Sequence, residues 1–325
     1  MNYDHIARRA LELYGLTGAE ISLLGHSDKR VYLAVHGPDR FVLSLYIPSS
    51  ERPAGAREQP YLRPEAILSE AHLMELLAKE APALGTQRIL RSRSGALIES
   101  VGGVSVRLTD YVEGEILDDK SKDYPAQARL AGEVCAHLHD FALQQGLAIC
   151  EGRPVHRQAY FRSILRDIEQ AHTADRMTDG QFDAVQRGGK IILACMDALD
   201  SAGQVGFVHT DLRAANFLTD GARVIPIDFS RGVLGYPLYD LGEMCMHMGD
   251  APIQQQILGG YDSMRPLTEP DLHCIEAFAV MFILDVCAEF LATNNASWLE
   301  ENLPRIERYF VPGLENGTLL PRDFR

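Results

Sequence analysis

A chain of 325 residues, 46% apolar and 23% charged, has the composition of a globular protein long enough for two packed lobes. Its net charge of −14 and pI near 5.2 argue against a nucleic-acid partner, whose binding rests on Lys and Arg neutralising phosphates, and are compatible with a cationic small substrate. The six cysteines (135, 150, 195, 245, 274 and 287) lack paired spacing, so reduced, buried thiols are expected rather than a disulfide framework.

The chain opens with MNYDHIARRALELYGL, an amphipathic helix pattern with charges throughout and no apolar signal core. Between 20 and 47, EISLLG, RVYLAVHG and RFVLSLYIP read as strands, the last two joined by the turn signal GPD. SSERPAGAREQPYLRP (49–64) is rich in Pro, Gly and charge and is expected to be a mobile surface loop. A helix follows over 64–80, and 95–114 reads as two strands joined at Gly102-Gly103. After Gly114 the spacing turns helical over 124–146, 156–171, 181–200, 237–248, 252–264, 270–292 and 297–310, interrupted by short strand-like pieces near 205–229.

The most apolar stretch, 277–292, is shorter than the roughly 20 residues of a membrane span. Asp285 and Glu289 also interrupt it, so it is expected to be a core helix of a cytoplasmic protein with no membrane partner. Segregated strands and helices predict an α+β protein of two lobes, 1–113 rich in strands and 114–325 helical.

FVHTDLRAANFL (207–218) holds Asp211 and Asn216 between apolar flanks, and RVIPIDFSRG (223–232) adds an isolated acid, Asp228. Singly, an Asp or Asn in a loop is a turn-former. Together, three oxygen-bearing side chains suit Mg²⁺, which prefers oxygen ligands and keeps substrate phosphates in its shell. Phosphoryl transfer needs such a metal and a carboxylate that orients the attacking hydroxyl. Asp211 fits the carboxylate, and Asn216 with Asp228 fits the metal.

HTDLRAAN followed by IDF resembles the catalytic loop and metal-binding Asp of the protein-kinase-like superfamily. The fuller pattern is most similar to the aminoglycoside phosphotransferase and choline kinase-like family of small-molecule kinases. GHSDKRVYLAV, ILSEAHLMELLA, LTDYVEGE, AGEVCAHLHDF and GYPLYDLGEM stand in that family's order over roughly 20–250.

The resemblance implies a two-lobed kinase-like fold and transfer from ATP or GTP to a small hydroxyl-bearing molecule, such as an aminoglycoside, a choline-like alcohol or an amino acid. It implies Asp211 as catalytic residue and Asn216 and Asp228 as ligands of Mg²⁺. Arg213, where relatives often carry a small residue, His or Lys, either offsets phosphoryl charge or makes local hydrogen bonds. Nucleotide-binding candidates are Gly25, Lys29, the position of Ser44, Glu70 as the helix αC acid, and the backbone of Asp110 and Val112 as hinge. His209 is expected to orient the loop, Asp240 to anchor it and His139 to pack. A metal site at Cys135, His137 and His139 fails, because helix residues two apart point different ways.

DLRAAN is also similar to the loop of cytoplasmic tyrosine kinases, but Thr210 replaces their Arg, and eleven residues between Asp228 and Asp240 leave no room for a long activation segment. No G-x-G-x-x-G surrounds Gly25. The departure that matters is Ser44, where the family's third strand carries a Lys or Arg that pairs with the αC acid and grips phosphates. Lys29 or Arg30 stands as a substitute. Without one, the chain would be a pseudokinase or nucleotide-binding module and Glu70 an ordinary surface acid. Protein phosphorylation is a third reading.

Overall fold

A computed structural model describes residues 1–26, 28–48, 59–293 and 295–324. The chain divides into two compact units, one of Met1–Glu115, Ala148–Pro154 and Ile225–Gly232, the other of Ile116–Leu147, Val155–Val224 and Val233–Arg325.

In the first unit, α1 (Tyr3–Leu13) starts at Asn2, whose side chain accepts the His5 N–H. β1 (Glu20–His26), β2 (Lys29–His36) and β3 (Asp39–Tyr46) form a meander, and α2 (Pro64–Glu80) begins with proline at a position that needs no N–H donor. Of the loop expected over 49–64, residues 49–58 lie outside those described, and Pro60–Leu62 is a 3-10 turn. β4 (Ile89–Leu90), β5 (Glu99–Val101) and β6 (Val104–Asp110) complete an antiparallel sheet ordered β1-β2-β3-β6-β4, with β5 paired to β6. The two-strand reading of 95–114 thus holds, joined at Gly102 and Gly103, both of which adopt positive φ.

Alternation along these strands sorts their side chains by face. Tyr32, Ala34, Leu43, Leu45, Val106 and Leu108 share a core with Tyr3, Ile6, Ala7, Ala10 and Leu11 of α1. On the other face Ser44 lies directly between Val31 and Arg107, and Lys29 lies opposite Tyr46. Lys29, Ser44 and Arg107 are all buried. Arg30, one residue on from Lys29, turns to the α1 face and stacks its guanidinium 4.6 Å from the Tyr3 ring centre.

The second unit holds the remaining helices and most of the small ribbons, β7 and β10 straddling its boundary. β7 (Glu115–Ile116) leads to α3 (Tyr124–Gln145), α4 (Gln158–Thr173) and α5 (Asp179–Ser201), the last started by a reciprocal Thr178–Gln181 capping box. β8 (Gly206–Val208), β9 (Phe217–Thr219), β10 (Val224–Pro226) and β11 (Val233–Gly235) follow; β8 pairs β11, and β9 sits between β10 and β7. Then come α6 (Leu238–His247), α7 (Ala251–Met264), α8 (Glu269–Thr293), α9 (Ala296–Arg305) and α10 (Val311–Asn316).

α8 is the core helix its composition predicts, with Ile275, Phe278, Val280 and Leu284 fully buried. Among the described residues no helix is long and apolar enough to cross a membrane. α3 and α7 meet through glycine: a Cβ on Gly132 would lie 2.1 Å from the Ile257 carbonyl oxygen, and one on Gly260 2.0 Å from that of Arg129. The single helix expected over 297–310 is instead α9 and a π-helical turn, Ile306–Phe310, leading into α10. Pro304 supplies no N–H to the ladder, and a widened turn follows it.

Candidate active site

The loop between β8 and β9 is held from behind by one carboxylate. Asp240, on the first turn of α6, accepts the His209 N–H at Oδ2 (2.9 Å) and the Thr210 N–H at Oδ1 (2.8 Å). Its Oδ2 also meets His139 Nε2 of α3 at 3.2 Å, and His139 Nδ1 meets the Tyr261 hydroxyl at 3.0 Å. Thr210 sits at φ 56°, a left-handed conformation that a β-branched residue adopts only under external constraint. The two bonds to Asp240 are that constraint, so the anchoring carboxylate aims the next residue, Asp211.

Asp211 is joined to both other polar residues of the loop. Asn216 Nδ2 donates to the Asp211 carbonyl (2.8 Å) and to its Oδ2 (2.7 Å), while Arg213 Nε lies 3.2 Å from Oδ1. With its NH₂ committed, Asn216 keeps Oδ1 as the atom that can meet a cation. Arg213, half exposed, pairs with the candidate catalytic carboxylate itself, which is the local-contact alternative of the sequence reading.

The first unit carries a second polar cluster, on the sheet face away from α1. Asp228 stands at φ 64° at the head of a 3-10 turn, Phe229–Arg231. Its Oδ1 accepts from Lys29 Nζ (2.5 Å) and from the Ser230 hydroxyl (2.6 Å). Among the described residues Oδ2 accepts no hydrogen bond, and the side chain keeps 32% exposure, an open oxygen suited to a metal. Burial pushes the Asp228 carboxyl up, but Lys29 and then Ser230 outweigh it and hold the group well below the usual carboxylate range. Arg153 clamps the same turn, donating from Nη1 to the carbonyls of Phe229 (2.9 Å) and Gly232 (3.1 Å).

Glu70 of α2 is no surface acid. It is 1% exposed, its Oε1 lies 2.5 Å from Arg107 Nη1, and its Oε2 accepts the Tyr46 hydroxyl at 2.7 Å. Burial alone would raise its pKa; Arg107 and then Lys29 override that and lower it. Burial likewise opposes the Arg107 charge, and Glu70 and Tyr46 more than compensate, so the guanidinium stays ionised. The cation missing at Ser44 is thus supplied to Glu70 from the next strand, at the position directly across from it.

The sequence reading named Lys29 and Arg30 as substitutes and missed Arg107. Arg30 is on the wrong face, while Lys29 reaches Asp228 rather than Glu70. The available signal was a lone Arg inside the apolar strand VSVRLTD, but its partner is visible only once β3 and β6 are aligned.

The other candidates lie apart from these clusters. Gly25 falls at a register shift in β1, where a Cβ would meet nothing within 4 Å. Asp110 ends β6, its carboxylate taken by Arg88 through N–H (2.6 Å) and Nε (2.7 Å), and Val112 follows in the extended segment. Cys135 and His139, four apart on α3, do converge with Asp240, whereas His137 faces solvent. The bonds Asp240 already makes to the loop and to His139 account for that convergence without a metal.

Comparison with known proteins adds a family and a fold. Residues 20–272 match the model of the phosphotransferase enzyme family, APH. None of the curated proteins matches the chain. Among solved structures, a microcompartment-associated aminopropanol kinase is similar at 20% identity and TM-score 0.74, over 97% of this chain and 99% of that one. An amicoumacin kinase, solved in complex with AMP-PNP, Ca²⁺ and Ami, is similar at 15% identity and TM-score 0.66, over 100% and 96%. A choline/ethanolamine kinase family protein from Mesorhizobium loti is similar at 17% identity and TM-score 0.62, over 99% and 96%. At these identities the likeness is one of fold, an antiparallel N-terminal sheet followed by helices in the kinase-like manner.

Proposed function

Since the chain belongs to the phosphotransferase enzyme family, we propose that it transfers the γ-phosphoryl of ATP to a hydroxyl of a small amine-bearing alcohol. The observation that carries this reading is the loop Asp211–Asn216, in which one side chain orients the other and both present oxygens.

Asp211 would hold the acceptor hydroxyl in line and take its proton as the O–P bond forms. In a loose transition state positioning matters more than base strength. The family resemblance makes Asn216 and Asp228 the proposed ligands of Mg²⁺, and each offers the oxygen donors that ion prefers. Bound there, Mg²⁺ would neutralise charge on the transferring phosphates. Arg213, next to Asp211, would keep its carboxylate oriented and offset phosphoryl charge.

The amine preference has its own support in the second unit. α6 carries buried Glu243 one turn after Asp240, beside Tyr239, and Asp285 of α8 accepts the Tyr160 hydroxyl at 2.5 Å. Acids set among aromatic rings suit an ammonium group. Two solved neighbours are named as kinases of aminopropanol and of choline or ethanolamine.

Against the inactive-module reading, which rests on Ser44, stands the counter-charge that Arg107 supplies to Glu70. The test is ADP release over a panel of amino alcohols, sugars and aminoglycosides. Asp211→Asn should bind Mg·ATP as the wild type does and lose transfer by about 10²-fold or more. Turnover at the wild-type rate would remove Asp211 from its role.

A further inference from the structure

The strand-3 cation of related kinases does two things, pairing with the αC acid and gripping phosphates. Here two residues on two other strands divide the neighbours of Ser44 between them. Arg107 of β6 lies directly across from Ser44 and reaches Glu70. Lys29 of β2, two residues before Val31, which faces Ser44 from the other side, reaches Asp228.

We infer that Lys29 is the cation that meets the nucleotide's phosphates, and that Arg107 has taken over the pairing with Glu70 alone. This rests on the nucleotide-dependent reading above.

Two observations separate the two cations. The first is the enclosure of their partners. Both cations are buried, Lys29 with 8% and Arg107 with 4% of the side chain exposed, but Glu70 is sealed at 1% and its second oxygen is closed by the Tyr46 hydroxyl, whereas Asp228 keeps 32%. An incoming polyphosphate would have to excavate the Arg107–Glu70 pair. The second is location, because Lys29 sits against the candidate metal ligand Asp228, whose second oxygen accepts no hydrogen bond among the described residues and marks where that cluster opens. Arg30, the remaining cation nearby, is excluded by strand alternation and lies over Tyr3. Arg107 is then a positioning residue that holds α2 and Glu70 in place.

The experiment is equilibrium binding of Mg·ATP, Mg·ADP and adenosine to the full chain. Variants are Lys29→Met, Lys29→Met/Ser44→Lys and Arg107→Met/Glu70→Gln, the last removing both charges so that no orphan remains buried. Lys29→Met should weaken ATP and ADP by about ten-fold or more, the range of a lost charge-assisted contact, and leave adenosine within about two-fold. Ser44→Lys, on the same sheet face, should recover much of that loss. Arg107→Met/Glu70→Gln should lose less ATP affinity than Lys29→Met.

Lys29→Met binding ATP like the wild type overturns the inference, and so does an equal loss for adenosine, which would mean a merely structural Lys29. A larger, phosphate-dependent loss in Arg107→Met/Glu70→Gln assigns the grip to Arg107 and overturns it as well. A wild type that fails to bind Mg·ATP at millimolar concentration overturns the nucleotide reading itself, an outcome distinct from the other three.

Discussion

Replacing Asp240 by Asn exchanges one carboxylate oxygen for an NH₂ and tests how the candidate catalytic loop is held. In the native chain Oδ1 accepts the Thr210 N–H at 2.8 Å and Oδ2 the His209 N–H at 2.9 Å. An amide has one oxygen, so one of these two N–H groups must face an NH₂ instead of an acceptor. A buried donor left unsatisfied costs about 1–3 kcal/mol. Thr210, at φ 56°, stores strain of the same order, about 1–3 kcal/mol, which relaxes once the anchor weakens. Because the two magnitudes are comparable, the loop should shift locally before the unit unfolds. At about 2–4 °C per kcal/mol, the melting temperature should fall by roughly 2–12 °C. Hydrogen exchange over 207–213 should quicken by about ten-fold or more, one decade per ~1.4 kcal/mol. The assay is a thermal melt together with exchange read by mass spectrometry. Exchange and melting temperature both indistinguishable from wild type would refute the anchoring argument.

Arg107→Met leaves Glu70 charged and sealed, and should destabilise the chain by about 3–5 kcal/mol in urea denaturation, whereas Arg107→Met/Glu70→Met should regain most of that. A double variant no more stable than the single one would count against the pair. Acid should act through Glu70 and Asp228, both lowered on folding. Their contribution is complete above the unfolded carboxylate range, about pH 4, and is lost as pH falls through the lower folded values. Denaturation midpoints should therefore fall below about pH 4 in the wild type and less steeply in Lys29→Met; equal slopes would sink the assignment. Gly260→Ala, whose Cβ would lie 2.0 Å from the Arg129 carbonyl oxygen, should force α3 and α7 apart and lower the melting temperature more than Gly25→Ala, which meets open space. Parity between those two would show that the helices adjust freely.

Much of the protein is legible along the chain because its signals are local. Strand alternation over 20–47, the helix over 64–80 and the Gly102-Gly103 turn depend on neighbours a few residues away, and all are found where spacing puts them. The loop HTDLRAAN is legible for the same reason, since Asp211 and Asn216 lie five apart and bond directly. What the linear text could not decide is which cation serves which acid. Lys29 and Arg30 are adjacent, yet strand pleating sends one to Asp228 and the other to Tyr3. Arg107 is 63 residues from Ser44, and only the β3–β6 register makes them neighbours. Charges choose partners by distance in space and by the burial that strengthens their attraction. Sequence alone therefore determined the elements and the candidate catalytic loop, and tertiary pairing decided how a chain with serine at that strand position still neutralises its buried glutamate.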